Sequence, residues 1–142
     1  MTYRDLARRV EAGAARLIDK GVREGDRAAI ISENGPQWAV AYLSTLLAGA
    51  IAVPIDPGLG PAEICNLLRD SSAKVVFHTS GTAGPVSSCL GELRKDGITP
   101  RLIDLDSAEP AWPAEEASFP ERSPDAIASI SYTPGTTGGP KR

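Results

Sequence analysis

The end of the chain concentrates small, hydroxyl-bearing and basic residues directly after a run that predicts a β-strand. The chemically relevant positions are Thr133, Gly135, Thr136, Thr137, Gly138, Gly139 and Lys141. Glycines let backbone N–H groups approach an anion because they carry no Cβ, while hydroxyls add donors and a lysine adds a positive charge. This composition favours a loop that binds a polyphosphate. A flexible glycine-rich turn is the alternative.

Two common nucleotide-binding motifs do not fit this segment. A Walker A loop requires Gly, four residues and then Gly-Lys-Ser/Thr. Counting from Gly135 places Pro140 at the second glycine and Arg142 at the hydroxyl position. The dinucleotide pattern GxGxxG also fails, because the glycines have a different spacing and come late in the chain. The segment is therefore neither a Walker loop nor a dinucleotide-binding turn.

Other residues that could do chemistry carry weaker indications. Thr79–Pro85 (TSGTAGP) has a similar composition and also follows a predicted strand, but it lacks the lysine. His78 is expected to be structural, because it is the single histidine and has no partnering cysteine. Cys65 lies on an apolar helix face, which favours packing over nucleophilic chemistry. Trp38 and Tyr42 recur at helical spacing and are expected to pack against the core.

Alternating helices and strands must position the terminal loop. Apolar residues recur at helical spacing in four segments, and β-branched runs bounded by turn residues separate them. The predicted helices are 2–20, 36–48, 61–70 and 86–95, and the predicted strands are 27–32, 51–55, 74–77, 101–105 and 126–132. This order predicts an α/β fold of three layers, with a mostly parallel sheet and helices on both faces.

The composition is that of one globular domain. The 142 residues carry 15 Lys+Arg and 18 Asp+Glu, a net charge of −3, which excludes a basic nucleic-acid clamp. No apolar run predicts a transmembrane segment, and no secretory signal follows Met1. Two cysteines without a CxxC pair indicate neither a disulfide framework nor a metal site, so a cytoplasmic protein is expected. Four prolines among acidic residues predict a surface connection over 106–125.

The terminal loop resembles the phosphate loop of the adenylate-forming (AMP-binding) enzymes, YTSGTTGxPKG. Here it reads Tyr132-Thr-Pro-Gly-Thr-Thr-Gly-Gly-Pro-Lys-Arg142. Further blocks are similar to those of the family in the same order, namely 1–6 (MTYRDL), 21–38 (GVREGDRAAIISENGPQW), 47–56 (LAGAIAVPID) and 63–77 (EICNLLRDSSAKVVF). The SENxPxW and VPID motifs are most similar to those of AMP-forming acyl-CoA synthetases that act on longer fatty acids.

The resemblance implies a two-step ligase reaction. A fatty acid carboxylate attacks the α-phosphorus of Mg·ATP to give an acyl-adenylate and pyrophosphate, and the thiol of CoA then displaces AMP. The loop would hold the β- and γ-phosphates through the hydroxyls of Thr133, Thr136 and Thr137, the amides of Gly135, Gly138 and Gly139, and the charge of Lys141. ATP with Mg²⁺, CoA and a fatty acid are thus the expected substrates of the parent enzyme, which could associate peripherally with membranes.

The resemblance also implies that residues 1–142 form a partial N-terminal α/β subdomain, the flavodoxin-like portion of an AMP-binding domain. In the family the Mg²⁺ ligand, the acid pocket and the C-terminal domain with its catalytic lysine follow the phosphate loop. The chain is therefore expected to contain no catalytic residue, to lack the C-terminal domain and to be inactive alone. It is expected to bind no cofactor tightly, and its truncation predicts self-association through exposed apolar surface.

Two departures from the family pattern predict weak phosphate binding. Pro134 replaces the usual serine, which removes one hydroxyl and one backbone donor, and Arg142 replaces the glycine after the lysine. The alternative to a ligase portion is a non-catalytic flavodoxin-like binding or assembly module, or a truncated relic of the same family. The reading frame beyond codon 142 distinguishes them, since further family motifs support the ligase and an immediate native stop supports the module.

Overall fold

The computed structural model describes residues 1–107 and 117–133. Eight elements alternate along the chain: α1 (Tyr3–Asp19), β1 (Arg27–Ile31), α2 (Pro36–Leu47), β2 (Ile51–Ile55), α3 (Pro61–Ser71), β3 (Val75–His78), α4 (Ala83–Lys95) and β4 (Arg101–Asp104). The sequence predicts the bounds of all of them within one residue, except the start of α4.

Helix α4 begins three residues before its predicted start. The sequence predicts a loop throughout Thr79–Pro85, but the helix begins at Ala83 and Pro85 lies in its first turn. The first four N–H groups of a helix have no intrahelical partner, so a proline there removes no helical hydrogen bond. The loop prediction is therefore wrong for residues 83–85.

The helix termini follow from local sequence. Thr2 Oγ1 accepts a 3.1 Å hydrogen bond from the Asp5 N–H, and the Asp5 carboxylate accepts one from the Thr2 N–H. This capping box begins α1. Hydrogen bonds from the Thr2 hydroxyl and then from the Thr2 N–H to its carboxylate lower the pKa of Asp5. Beyond the other end of α1, Gly21 has a φ of 87°, which favours glycine. Pro36 and Pro61 occupy the first positions of α2 and α3, as their fixed φ favours.

The four strands form one parallel sheet in the order β2-β1-β3-β4. Ala28 and Ile30 of β1 belong to the apolar cluster under α1 and α2, whereas Ala29 and Ile31 belong to the cluster under α3 and α4. Strand β1 is thus covered on both faces, which explains its unbroken apolar sequence. The predicted α/β fold, with a parallel sheet between two helical layers, is confirmed.

A segment near residue 129 occupies the fifth position, along the outer edge of β2. The Ala52 N–H donates to the Ala128 carbonyl, and the Ile130 N–H donates to the Ala52 carbonyl, both at 2.9 Å. Only Ser129 forms a bridge with Ala52, so the predicted strand over 126–132 is reduced to this isolated pair. The next β2 residue that faces this edge is Pro54, which has no N–H to donate, and the ladder ends before it.

Candidate functional site

The carboxyl edge of the sheet is the expected ligand side of such a fold. Strand β1 leads into α2 on one face, whereas its neighbour β3 leads into α4 on the other face. In open α/β sheets this reversal opens a crevice in which ligands commonly bind. The segments that reach this edge are therefore those that follow β1, β2, β3, β4 and Ile130.

Thr82 closes the crevice between β1 and β3. Its hydroxyl donates to the Ile31 carbonyl at 2.9 Å and accepts from the Thr79 N–H at 3.0 Å. The residue is 5% exposed. Thr82 thus ties the end of β1 to the loop that follows β3.

The glycine-rich loop after β3 uses its donors internally. The backbone N–H and the hydroxyl of Ser80 both donate to Asp106 Oδ2 at 2.7 Å. These two hydrogen bonds, with a smaller contribution from the charge of His78, lower the pKa of the Asp106 carboxyl. The Ser80 donors that could meet a phosphate already bind a carboxylate of the chain. Composition alone did not identify Asp106, although its place directly after β4 brings it to the same edge.

His78 contacts the adjacent backbone, and the two cysteines pack in the apolar core, as their sequence context favours. His78 is half-buried, with Nδ1 3.2 Å from the Thr79 carbonyl oxygen. Cys65 on α3 and Cys89 on α4 are free and buried in the same apolar cluster. Burial raises the pKa of the Cys89 thiol to about 12, so this thiol stays protonated at neutral pH. Trp38 and Tyr42 stack with their ring centroids 5.1 Å apart against the α1/α2 cluster.

The predicted phosphate loop follows the segment on the opposite edge of the sheet, beyond β2. Thr133 is exposed and is the last residue described. The remaining predicted site residues, which are Gly135, Thr136, Thr137, Gly138, Gly139 and Lys141, lie outside the described residues, as do Pro134 and Arg142. The structure therefore places the segment that precedes the loop, residues 128–132, which we call the lead-in. The roles of the loop side chains stay predictions.

Tyr132, the residue before Thr133, joins this lead-in to α3. Its hydroxyl lies 2.6 Å from Asp70 Oδ2 and donates to that carboxylate. Its ring is half-buried, and together with Ile130 it packs against the α3/α4 cluster. Sequence reasoning missed Asp70, because no spacing rule relates a residue near the end of α3 to one 62 positions later.

A groove of about 500 Å³ lies between α1, α2 and the β4 side of the sheet. Its rim includes Arg8, Arg9 and Arg16, and its wall includes Phe77 and Ile103. Phe77 and Ile103 belong to the α1/α2 cluster, whereas Tyr132 packs against the other face of the sheet. The groove is thus separate from the lead-in to the predicted phosphate loop.

Residues 1–107 and 117–133 carry neither a metal-binding cluster nor a membrane-spanning helix. Within these ranges no group of three or more His, Cys, Asp or Glu side chains could hold a metal ion. No helix in the same ranges is long and apolar enough to span a membrane.

The fold and its carboxyl edge place the chain among the open α/β domains that bind ligands at the ends of parallel strands. The family model for the AMP-binding enzyme matches residues 1–142. The chain therefore belongs to the AMP-binding, adenylate-forming enzymes and corresponds to an N-terminal portion of such a ligase. ATP binding is typical of this family.

Relatives within the family carry out different reactions. The chain is 36% identical over 146 residues to a feruloyl-CoA synthase of Amycolatopsis sp., covering 99% of this chain and 27% of that protein. It is 31% identical over 153 residues to a Streptomyces coelicolor ligase of L-proline and the L-prolyl-carrier protein, covering 99% of this chain and 29% of that protein. Among solved structures, a fatty acyl CoA synthetase of Mycobacterium tuberculosis matches with a TM-score of 0.83 at 26% identity, covering 99% of this chain and 28% of that one. The chain thus spans less than a third of each of these proteins.

Proposed function

We propose that this chain is the phosphate-binding front portion of a ligase that activates a long-chain fatty acid as an acyl-adenylate and transfers the acyl group to CoA. The observation that carries the proposal is the family match over residues 1–142. The similarity to a fatty acyl CoA synthetase of known structure supports the finer assignment, as does the SENGPQW block at residues 32–38.

The phosphate loop would act by positioning and by charge. An oxygen of the fatty acid carboxylate forms a bond to the α-phosphorus of ATP, while the bond from that phosphorus to the β-bridging oxygen breaks and pyrophosphate leaves. Donors from Thr133, Thr136 and Thr137 and the charge of Lys141 would hold the β- and γ-phosphates in place during this step. In the second step the CoA sulfur forms a thioester with the acyl carbon, and AMP departs.

The position of the lead-in supports this assignment. The two hydrogen bonds between Ala52 and residues 128 and 130 run the segment parallel to β2. Thr133 therefore follows the segment in the direction of the carboxyl edge, where ligands bind in open α/β sheets. In the competing segment at 79–85, Asp106 engages both Ser80 donors, so these two donors are not available to an anion.

A second candidate reaction is the adenylation of an amino acid, followed by its transfer to a carrier protein. The similarity to the ligase of L-proline and the L-prolyl-carrier protein favours it, since the match covers nearly the whole chain at 31% identity. Both reactions share the first step and the same phosphate loop. They differ in the acid that is activated and in the thiol that accepts the acyl group, which is that of CoA in one case and of a carrier protein in the other.

An ATP–pyrophosphate exchange assay tests the proposal. The polypeptide that contains this chain together with the rest of an AMP-binding domain would be assayed with a panel of fatty acids, aromatic acids and amino acids, and the 142-residue chain would serve as the expected blank. Exchange stimulated by long-chain fatty acids, followed by acyl-CoA formation, supports the proposed reaction. Exchange stimulated only by amino acids would replace it with the second candidate.

A further inference from the structure

We propose that Asp70 is a positioning residue for ATP. By accepting the hydrogen bond of the Tyr132 hydroxyl, it holds the residue before Thr133 and so fixes the base of the phosphate loop. The inference rests on the proposed function, because it concerns the same loop. It adds a residue of α3 to a site that the sequence places entirely within 133–142.

The geometry of this contact is that of a strong hydrogen bond. A distance of 2.6 Å between the Tyr132 hydroxyl and Asp70 Oδ2 is typical of an O–H donor paired with a carboxylate. The half-buried Tyr132 ring packs against the α3/α4 cluster, so few orientations remain open to its hydroxyl. Among these orientations, the bond to Asp70 selects one.

The backbone hydrogen bonds to the sheet end before the loop begins. The ladder to β2 consists of the two bonds of Ala52 and stops at Ile130, because Pro54 has no N–H for the next position. Residues 131–133 must be placed by contacts other than this ladder. The Tyr132–Asp70 bond is such a contact, and it acts one residue before Thr133.

Helix α3 is a rigid support for this bond. Ile64, Leu67 and Leu68 of α3 are fully or nearly fully buried. On the other side, Arg69 donates a 2.7 Å hydrogen bond to Asp96, which follows α4. An aspartate in the last turn of a helix is disfavoured by the helix dipole. The hydrogen bond from the Tyr132 hydroxyl stabilises the Asp70 carboxylate at this position.

Residues that are held in place before ATP arrives lose less entropy when ATP binds. Without the Asp70 contact, part of the binding energy of the phosphates would be spent on holding Tyr132 and Thr133. Loss of one hydrogen bond of this kind corresponds to about a five- to tenfold increase in the KM for ATP. The KM for the acid is expected to change by less than about twofold, since the bond holds the residue that leads into the phosphate loop.

The test compares Tyr132→Phe, Asp70→Ala and Asp70→Asn in the complete ligase. Tyr132→Phe keeps the ring and removes the donor, whereas Asp70→Asn keeps an oxygen that can accept the bond. The matched control is Asp96→Asn, which weakens a 2.7 Å bond to the neighbouring Arg69 but does not touch the lead-in. The readouts are the KM for ATP, the KM for the acid and kcat in ATP–pyrophosphate exchange, with the Kd for pyrophosphate measured by calorimetry.

The expected result is a raised KM for ATP in Tyr132→Phe and Asp70→Ala, with near-normal values in Asp70→Asn and Asp96→Asn. The Tyr132→Phe/Asp70→Ala double variant should be no worse than either single variant. An unchanged KM for ATP and an unchanged Kd for pyrophosphate in both single variants would overturn the role of Asp70 while the proposed function stands. Equal effects in Asp96→Asn would also overturn it, by showing general destabilisation. A wild-type ligase without exchange for any acid would instead contradict the proposed function.

Discussion

The hydroxyl of Thr82 donates a 2.9 Å hydrogen bond to the carbonyl oxygen of Ile31, across 51 positions of sequence. This bond joins the residue before α4 to the end of β1, at the point where the two helical layers diverge. Open α/β sheets commonly bind ligands at such a point. In this chain a buried threonine makes the bond at this point, while the predicted phosphate loop follows the segment beyond β2.

Replacing Thr82 with valine should destabilise the fold. Valine has nearly the same shape but leaves the Thr79 N–H and the Ile31 carbonyl without this partner, which costs about 1–3 kcal/mol. Urea unfolding at pH 7 measures the change. Ser88→Ala, which removes an exposed hydroxyl that donates to the Pro85 carbonyl, should change the free energy of unfolding by less than about 0.5 kcal/mol. Equal effects of the two variants would contradict the role of Thr82.

Gly13→Ala should weaken the packing of α1 against α2. A Cβ at residue 13 would overlap Ser44 Oγ, which donates a 3.1 Å bond to the Val10 carbonyl. Because both atoms lie between packed helices, we expect the free energy of unfolding, measured in urea, to fall by about 1–3 kcal/mol. Gly91→Ala in α4 is the control, since a Cβ there meets no atom within 4 Å, and it should stabilise by about 0.5–1 kcal/mol. A Gly13→Ala variant as stable as Gly91→Ala would show that α1 can shift freely.

Asp26 should contribute stability that is lost in acid. Burial acts to raise the pKa of its carboxyl, but hydrogen bonds from the Arg23 N–H at 2.7 Å and from Lys74 Nζ at 3.0 Å outweigh burial and lower it. Since the folded pKa lies below the unfolded value of about 3.9, the contribution is present above that pH and disappears as the pH falls through the folded pKa.

The measurement for Asp26 is urea unfolding from pH 7 down to about pH 2.5. Asp26→Asn should be less stable than wild type at pH 7, and the difference should shrink below about pH 4. Asp19→Asn changes an exposed side chain on α1 and is the control for loss of one negative charge. A constant difference between wild type and Asp26→Asn at every pH would refute the linkage.

Restoring the family residues at 134 and 142 should strengthen phosphate binding. Pro134→Ser adds a hydroxyl and a backbone N–H, and Arg142→Gly removes a large side chain beside Lys141. If one hydrogen bond is regained, the Kd for pyrophosphate should fall by about five- to tenfold. Isothermal titration of the chain measures this, with Lys141→Ala in the restored background as the loss-of-charge control. Tight, Lys141-dependent binding by the unaltered chain would contradict the expected weakness.

The outer side of β4 should promote self-association. Only Ile103 of this strand is buried, and Leu102 is 38% exposed at the edge of the described sheet. Unpaired edge strands with apolar residues favour association, and a charge opposes it. Leu102→Lys should therefore shift sedimentation toward monomer more than Leu43→Lys, a change at an equally exposed leucine on α2. A wild-type chain that is monomeric and melts above about 65 °C would contradict this expectation.

The elements were predictable because their determinants are local. The box of Thr2 and Asp5, the prolines that begin α2 and α3, and the alternation of Ala28 to Ile31 between two apolar layers all depend on neighbouring residues. The start of α4 was less predictable, since Pro85 is compatible with a loop and with a first helical turn. The strand over 126–132 was over-predicted because its pairing depends on Pro54, a residue of another strand.

The sequence by itself determined the fold class and the family, because these depend on periodicity and on contiguous motifs, and it predicts which residues bind phosphate. Only the tertiary structure decided which donors are still available. It pairs Ser80 with Asp106, Thr82 with Ile31 and Tyr132 with Asp70. Each pair joins residues that are far apart in the sequence and adjacent in space, since the parallel sheet brings separate connections together. Local pattern therefore specifies the elements, and long-range hydrogen bonds specify how the loops at the edge of the sheet are held.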